Sequence, residues 1–166
     1  PNPHIPLAET VGALNEVKRR GWSRHIGVSN FTVALVEQTV KLSAEPLVTN
    51  QVEMHPFLDQ SKVIAVCNQH GLSVTAYCPI ARGGAARDAV LARIGKPHGK
   101  TAAQVSLRYL LQRGIIAIPR TSRPERLKEN LAVFDFELSA GEMQELHRLG
   151  SPQGRVVNWS GCPQWD

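Results

Sequence analysis

The chain has 166 residues and a mass of 18.2 kDa, enough for one ordinary domain with a buried core. With 42% hydrophobic and 20% charged residues, the composition argues against a mostly disordered chain. The net charge of +5 is local: residues 1–81 are balanced, 82–128 carry eleven basic against two acidic residues, and 129–166 carry two against six. Such a concentration favours one anion site over general basicity.

No apolar run approaches the ~18 residues of a membrane helix, so no membrane span is expected. The start, Pro-Asn-Pro-His-Ile-Pro6, has no initiator Met and lacks the basic and apolar regions of a secretory leader. Cys67, Cys78 and Cys162 are odd in number and widely spaced, which suits a reducing, cytoplasmic setting better than a disulfide framework. No CxxC pair suggests zinc. The sequons at Asn30 and Asn158 then read as chance.

The elements alternate. Leu7, Val11, Leu14 and Val17 mark one face of a helix that stops at Arg20-Gly21. His25 to Asn30 is a short strand, Thr32 to Ser43 a helix, Leu47 to His55 a strand, Ser61 to His70 a helix, and Ser73 to Tyr77 a strand. Residues 82–100 are rich in Gly and Arg, with a helical piece around Val90 to Ile94. Thr101-x-x-Gln104 is a capping box opening a helix to Arg113. Ile115 to Ile118 is a nearly continuous apolar strand, the pattern of one covered on both faces. Ser122-x-x-Glu125 and Ser139-x-x-Glu142 open two more helices, and the tail from Gly150 is irregular. Four helices close on a basic residue followed by Gly, at Gly21, Gly71, Gly99 and Gly114, so His70 and His98 read as helix ends rather than ligands.

Strand–helix alternation with short loops predicts an α/β fold with a parallel sheet. An opening helix over 1–22, four βα units over 23–136 and a C-terminal helix and tail over 137–166 make either a small open sheet or half of an eight-fold barrel, which when complete needs ~250 residues.

Such folds bind ligands beyond the C-terminal ends of their strands. Those ends carry Ser29-Asn30, then Tyr77, then Pro119-Arg120-Thr121-Ser122, and Asn50-Gln51 lies within the second strand. Ser, Asn and Gln offer the paired donors and acceptors a carboxamide needs. Tyr77 offers a flat face. Arg120, Arg123 and Arg126 gather at a helix start with Thr121 and Ser122, as a phosphate site requires. A nucleotide with a carboxamide ring at one end and a phosphate at the other, such as NADPH, suits the set. Singly, each residue also reads as a cap, a satisfied hydrogen bond or part of a solvated helix face. No GxGxxG or GxxxxGK[ST] motif supports a Rossmann or P-loop site. Glu53-x-His55 lacks a third metal ligand at suitable spacing and reads as a buried polar pair.

Ile26-Gly-Val-Ser-Asn-Phe31, Asn50-Gln-Val-Glu-Met-His-Pro56, Ala76-Tyr-Cys-Pro79, Ile118-Pro-Arg-Thr-Ser-Arg-Pro-Glu-Arg-Leu-Lys-Glu-Asn130 and Val133-Phe-Asp-Phe-Glu-Leu-Ser139 resemble the motifs of aldo-keto reductases. The tail ending Pro163-Gln-Trp-Asp166 is most similar to bacterial members of the 2,5-diketo-D-gluconate reductase kind. The resemblance implies the second half of a TIM (β/α)8 barrel that binds NADPH without a Rossmann motif. It implies that Ser29, Asn30 and Gln51 hold the nicotinamide carboxamide and that Tyr77 stacks on the ring. The loop at Pro79 and Ile80 would cover the pyrophosphate. Arg120, Thr121, Ser122 and Arg123 would hold the 2′-phosphate, with Arg126, Glu129 and Asn130 at the adenine. Two departures stand out: Arg120 replaces the usual Lys, and Ala81-Arg82 stands where Leu-Gly is commoner.

The resemblance further implies a small carbonyl substrate, of the diketo sugar acid or methylglyoxal type. No member of the family's Tyr, Lys, Asp and His tetrad is matched, because the chain begins just after the segment that carries it. The 166 residues are therefore expected to be inactive alone, and to meet either the N-terminal half of the barrel or a second copy of themselves. Two other readings are a non-catalytic nucleotide-binding or regulatory module and a nucleic-acid binder. The basic stretch offers only Tyr109 for base stacking, which disfavours the latter.

Overall fold

The computed structural model describes every residue except 1, 3 and 160, so the sequon at Asn158 and the first residue lie partly outside it. In chain order the helices and strands are α1 (Leu7–Arg19), β1 (Ile26–Ser29), α2 (Val33–Leu42), β2 (Leu47–Glu53), α3 (Ser61–Gln69), β3 (Ser73–Tyr77), α4 (Ala89–Gly95), α5 (Ala102–Gln112), β4 (Ile116–Ala117), α6 (Pro124–Leu131) and α7 (Ala140–His147). The strands form one sheet in the order β1-β2-β3-β4. β1 and β2 run parallel, with Ile26 opposite Leu47, Val28 opposite Asn50 and Ser29 opposite Gln51, and one irregularity between the first two pairs. Sequential parallel strands joined by helices are repeated βα units. No helix among the described residues is long and apolar enough to cross a membrane.

The chain divides into two compact units. One comprises Pro1–Val52, Gln60–Thr75 and Asn158–Asp166. Its core joins Val11 of α1, Val28, Val36 of α2, Val52, and Val63, Val66 and Cys67 of α3, all buried. Thr32 stays extended and caps α2, its hydroxyl accepting the Leu35 N–H. The hydroxyls of Thr49 and Thr75 meet at 2.9 Å between β2 and β3.

The other unit comprises Glu53–Asp59 and Ala76–Val157. α5 is buried over Val105, Ser106, Tyr109 and Leu110, the spacing of one helical face, and Leu107 is buried beside them. Both halves of its capping box are present: Thr101 accepts from Gln104 N–H and the Gln104 side chain reaches back to the Thr101 N–H. α7 opens on a second complete box, Ser139 with Glu142.

Ser122-x-x-Glu125 does not form the expected box. α6 starts at Pro124, its N-cap is Arg123 at φ −109° and ψ 116°, and no side chain caps it. A residue before proline is held out of the helical region. Arg123 therefore stays extended, and the Ser122 side chain falls one residue too early. Instead the Thr121 hydroxyl accepts the Arg123 N–H at 3.1 Å.

β4 also departs from expectation. Ile115 is buried, but Ile116 and Ile118 are 50% and 43% exposed. β4 ends the strand order, and the side chains of Ile116 and Ile118, two residues apart, share one exposed face.

Candidate functional site

In the first unit, the C-terminal end of β1 is tied to β2. Ser29 Oγ donates to the Gln51 carbonyl at 3.0 Å, and the Asn30 N–H donates to the same oxygen at 2.9 Å. The ladder ends there because Asn30 turns into the left-handed region at φ 59°. Asn is among the few side chains that accept this conformation. Ser29 is exposed and Gln51 half-buried, so the three predicted carboxamide binders do come together at one strand end. Asp166 reaches the same region: its carboxylate accepts the Val33 N–H at the start of α2 at 2.9 Å, where a negative charge is favoured.

In the second unit, Tyr77 ends β3 half-buried, and its carbonyl accepts the Met54 N–H at 3.2 Å. The following chain is sharply bent: Cys78, Ala81 and Arg82 have φ of 50°, 48° and 52°. Pro79 is buried, and its carbonyl takes a 2.6 Å bond from the wholly buried Ser106. Ile80 is half-buried beside the Ala81-Arg82 turn.

Arg120, Arg123 and Arg126 are exposed, and none forms an ion pair among the described residues. They flank an α6 start that no side chain caps. Unpaired guanidinium groups are complementary to a phosphate, so this donor set fits a phosphorylated ligand. Glu129 is held from behind: its carboxylate accepts the Thr101 hydroxyl at 2.6 Å, and its carbonyl accepts Gln104 Nε2 at 3.0 Å. Asn130 borders an apolar hollow of about 250 Å³ with Leu107, Leu127 and Phe134.

Glu53 and His55 are the buried polar pair expected from the sequence, and Asn50 and Glu53 each make further contacts that the sequence did not specify. Asn50, wholly buried, bonds both main-chain groups of Phe31. Glu53, also wholly buried, accepts the N–H groups of Val156 at 2.6 Å and Val157 at 3.1 Å. It also meets Arg155 Nη1 at 3.5 Å and His55 Nε2 at 3.1 Å. Burial alone would raise the Glu53 carboxyl; the bonds from His55 and Val156 and the charge of Arg155 outweigh it and hold the group below the usual carboxylate range. The sequence signal was the Glu53-x-His55 spacing on a strand, since a carboxylate must find partners if buried.

Tyr109 is 2% exposed. Its hydroxyl lies 3.3 Å from His147 Nδ1 and accepts from Arg113 at 2.9 Å. Burial pushes its hydroxyl above the ordinary tyrosine value, against the smaller opposing pull of Arg113.

The model of the Aldo/keto reductase family matches residues 1–150. The chain belongs to this family. Among the family's curated proteins it is 37% identical to the methylglyoxal reductase DkgB of Escherichia coli O157:H7, over 96% of this chain and 62% of that protein. It is 36% identical to aldo-keto reductase family 1 member D1 of Mus musculus, over 96% and 54%. Among solved structures, one named for 2,5-diketo-D-gluconic acid reductase B superposes with a TM-score of 0.97 at 48% identity, over all of this chain and 60% of that one. A mutant of Gox0644 in complex with NADPH superposes at 0.86 with 35% identity, over 91% and 56%. The chain thus spans about three fifths of the DkgB protein and of the diketogluconic acid reductase structure, and its fold is a partial aldo-keto reductase barrel of the TIM family.

Proposed function

We propose that this chain is the cofactor-holding part of an NADP(H)-dependent aldo-keto reductase acting on a small carbonyl compound, of the methylglyoxal or diketo sugar acid type. The observation that carries the reading is the trio of unpaired guanidinium groups, Arg120, Arg123 and Arg126, at the uncapped start of α6. A 2′-phosphate is what distinguishes NADPH from NADH, and such a cluster is built for it. Support also comes from the relatives, which are named as reductases of such substrates, and from the NADPH complex of a structural neighbour.

In this reading Arg120, Thr121, Ser122 and Arg123 hold the phosphate, and Arg126, Glu129 and Asn130 contact the adenine. Thr101 fixes the Glu129 carboxylate for that contact. Pro79 and Ile80 cover the pyrophosphate, and Tyr77 lies flat against the nicotinamide. Ser29, Asn30 and Gln51 take the carboxamide and so fix which face of the ring is presented. When bound, the cofactor supplies a hydride to the substrate's carbonyl carbon. The chain's own contribution is orientation and electrostatic fit.

The proton donor is not assigned within these 166 residues. Tyr77 occupies the stacking position. Tyr109 is buried in α5 with its hydroxyl pushed up rather than down, the wrong direction for a general acid near neutral pH. The acid therefore belongs to the other part of the barrel. The three cysteines stand as thiols, which suits the cytoplasm.

Titration calorimetry of the chain with NADPH tests the reading. Saturable binding displaced by 2′,5′-ADP is expected, with no NADPH consumption on adding methylglyoxal. Absence of binding by both nucleotides would overturn it.

A further inference from the structure

We infer that Asn50 is the positioning residue of the carboxamide subsite: its buried side chain stands in for a peptide group and locks the β1–α2 turn that presents Ser29 and Asn30. The inference rests on the cofactor reading above, and it concerns a residue that touches no ligand.

The argument begins where the ladder stops. The regular pairing of β1 with β2 ends at Ser29 opposite Gln51. Asn30 then swings to φ 59°, which carries the next residue out of reach of the β2 main chain. Phe31 is 4% exposed, so neither its N–H nor its C=O can rely on water. Buried main-chain groups left without partners are costly, so each must find one. Asn50 meets both. Its Oδ1 accepts the Phe31 N–H at 3.3 Å, and its Nδ2 donates to the Phe31 C=O at 2.9 Å. One carboxamide thus supplies the donor and acceptor that a further ladder residue would have supplied. A remaining Nδ2 hydrogen faces Cys67 Sγ at 3.8 Å, on α3.

The consequence reaches the residues on either side. Asn30 is clamped twice: its own N–H is fixed on the Gln51 carbonyl at 2.9 Å, and its C-terminal neighbour is fixed by Asn50. A left-handed asparagine persists only where its surroundings over-determine it. Ser29, sharing the Gln51 carbonyl at 3.0 Å, is held in the same frame. Adjacent β2 residues therefore divide the work: Gln51 belongs to the carboxamide subsite, and Asn50 secures the turn that forms its opposite wall. Asp and Leu both fail here, because a carboxylate would oppose the Phe31 carbonyl and an alkyl group would leave both Phe31 groups unpaired.

The test separates this role from simple stability. NADPH carries the nicotinamide; 2′,5′-ADP carries only the adenosine and phosphate portion. Binding of both would be measured by calorimetry on the wild-type chain and on Asn50→Ala and Asn50→Asp. The expected result is at least a tenfold loss for NADPH with less than a twofold change for 2′,5′-ADP. Equal losses for both ligands, or no loss for either, would overturn the inference while leaving the cofactor reading intact. Failure of the wild type to bind NADPH more tightly than 2′,5′-ADP would overturn both. A second measurement needs no variant: in wild-type hydrogen exchange the Phe31 amide should be protected at least a hundredfold more than the exposed Ala34 amide in the first turn of α2. Equal rates would refute the lock even if neither variant folds.

Discussion

Glu53 accepts the main-chain N–H of Val156 at 2.6 Å across 103 positions of sequence. Together with Val157 N–H and Arg155, that bond fastens the chain beyond α7 to the end of β2 through one buried carboxylate. Because the group is held below its ordinary value, the sign of its pH dependence is fixed. A depressed carboxyl contributes stability above its unfolded pKa, about 4.3 for Glu, and loses it as pH falls through the lower folded value. Urea melts of the wild type should be insensitive to this group from pH 7 to about 5 and weaken below that. Glu53→Gln should lose about 3 kcal/mol at pH 7, because it leaves the Arg155 guanidinium without its charge partner and gives the N–H groups of Val156 and Val157 a neutral acceptor in place of a carboxylate, and should fall less steeply in acid. Some acid sensitivity remains, since Glu142 is depressed too: burial opposes it, but bonds from Ser139 and His98 prevail. A variant with the same acid slope as the wild type would refute the assignment.

Arg82 sits at φ 52° between Ala81, at 48°, and Gly83. A left-handed conformation costs an ordinary side chain about 1 kcal/mol, a cost glycine avoids. Arg82→Gly should therefore stabilise the chain by roughly 0.5 kcal/mol, after the glycine's extra unfolded-state entropy is subtracted. The readout is the urea midpoint, and a lower midpoint for the variant would count against strain in this turn.

The sequence made most of the fold legible, and it marked the polar residues near the strand ends. Local signals carried the helices: Thr101 with Gln104 and Ser139 with Glu142 write their capping boxes within four residues, and both form. The same pattern at Ser122 failed because Pro124 constrains Arg123, a local conflict that the box motif does not encode. Ile115 to Ile118 looked covered on both faces because an apolar run does not record what packs against each face, and Ile116 and Ile118 are exposed. Ser29, Asn30 and Gln51 were findable as polar residues near strand ends. Glu53 was legible as a buried polar pair with His55, but the bonds of Asn50 to Phe31 and of Glu53 to Val156 and Val157 were not, since only folding brings those partners near. No periodicity records such pairs.

Thr101 joins stability to the proposed site. Its hydroxyl accepts from Gln104 N–H at the start of α5 and donates to Glu129 at 2.6 Å. Thr101→Ala removes the cap and should cost about 1–2 kcal/mol, while Thr101→Ser should cost less than ~0.5 kcal/mol because it keeps the hydroxyl. Thermal melts of the two variants give the comparison. Equal losses would mean that the methyl group, not the hydroxyl, carries the effect.

The arginines at α6 provide the sharpest test of cofactor choice. Arg120 and Arg123 have no ion-pair partner among the described residues, so replacing either leaves no protein charge stranded. Any change in nucleotide affinity then reports the contact itself. A charge-assisted bond to phosphate contributes about 1.5–3 kcal/mol, which corresponds to roughly ten- to a hundredfold in affinity. Arg120→Ala and Arg123→Ala should each weaken NADPH binding by about tenfold and leave NADH, which lacks the 2′-phosphate, within twofold of its wild-type value. Arg120→Lys, which keeps the charge but not the bidentate fork, should fall between. If NADPH and NADH weaken together, the guanidinium groups serve a phosphate common to both nucleotides, and the assignment of these residues to the 2′-phosphate fails.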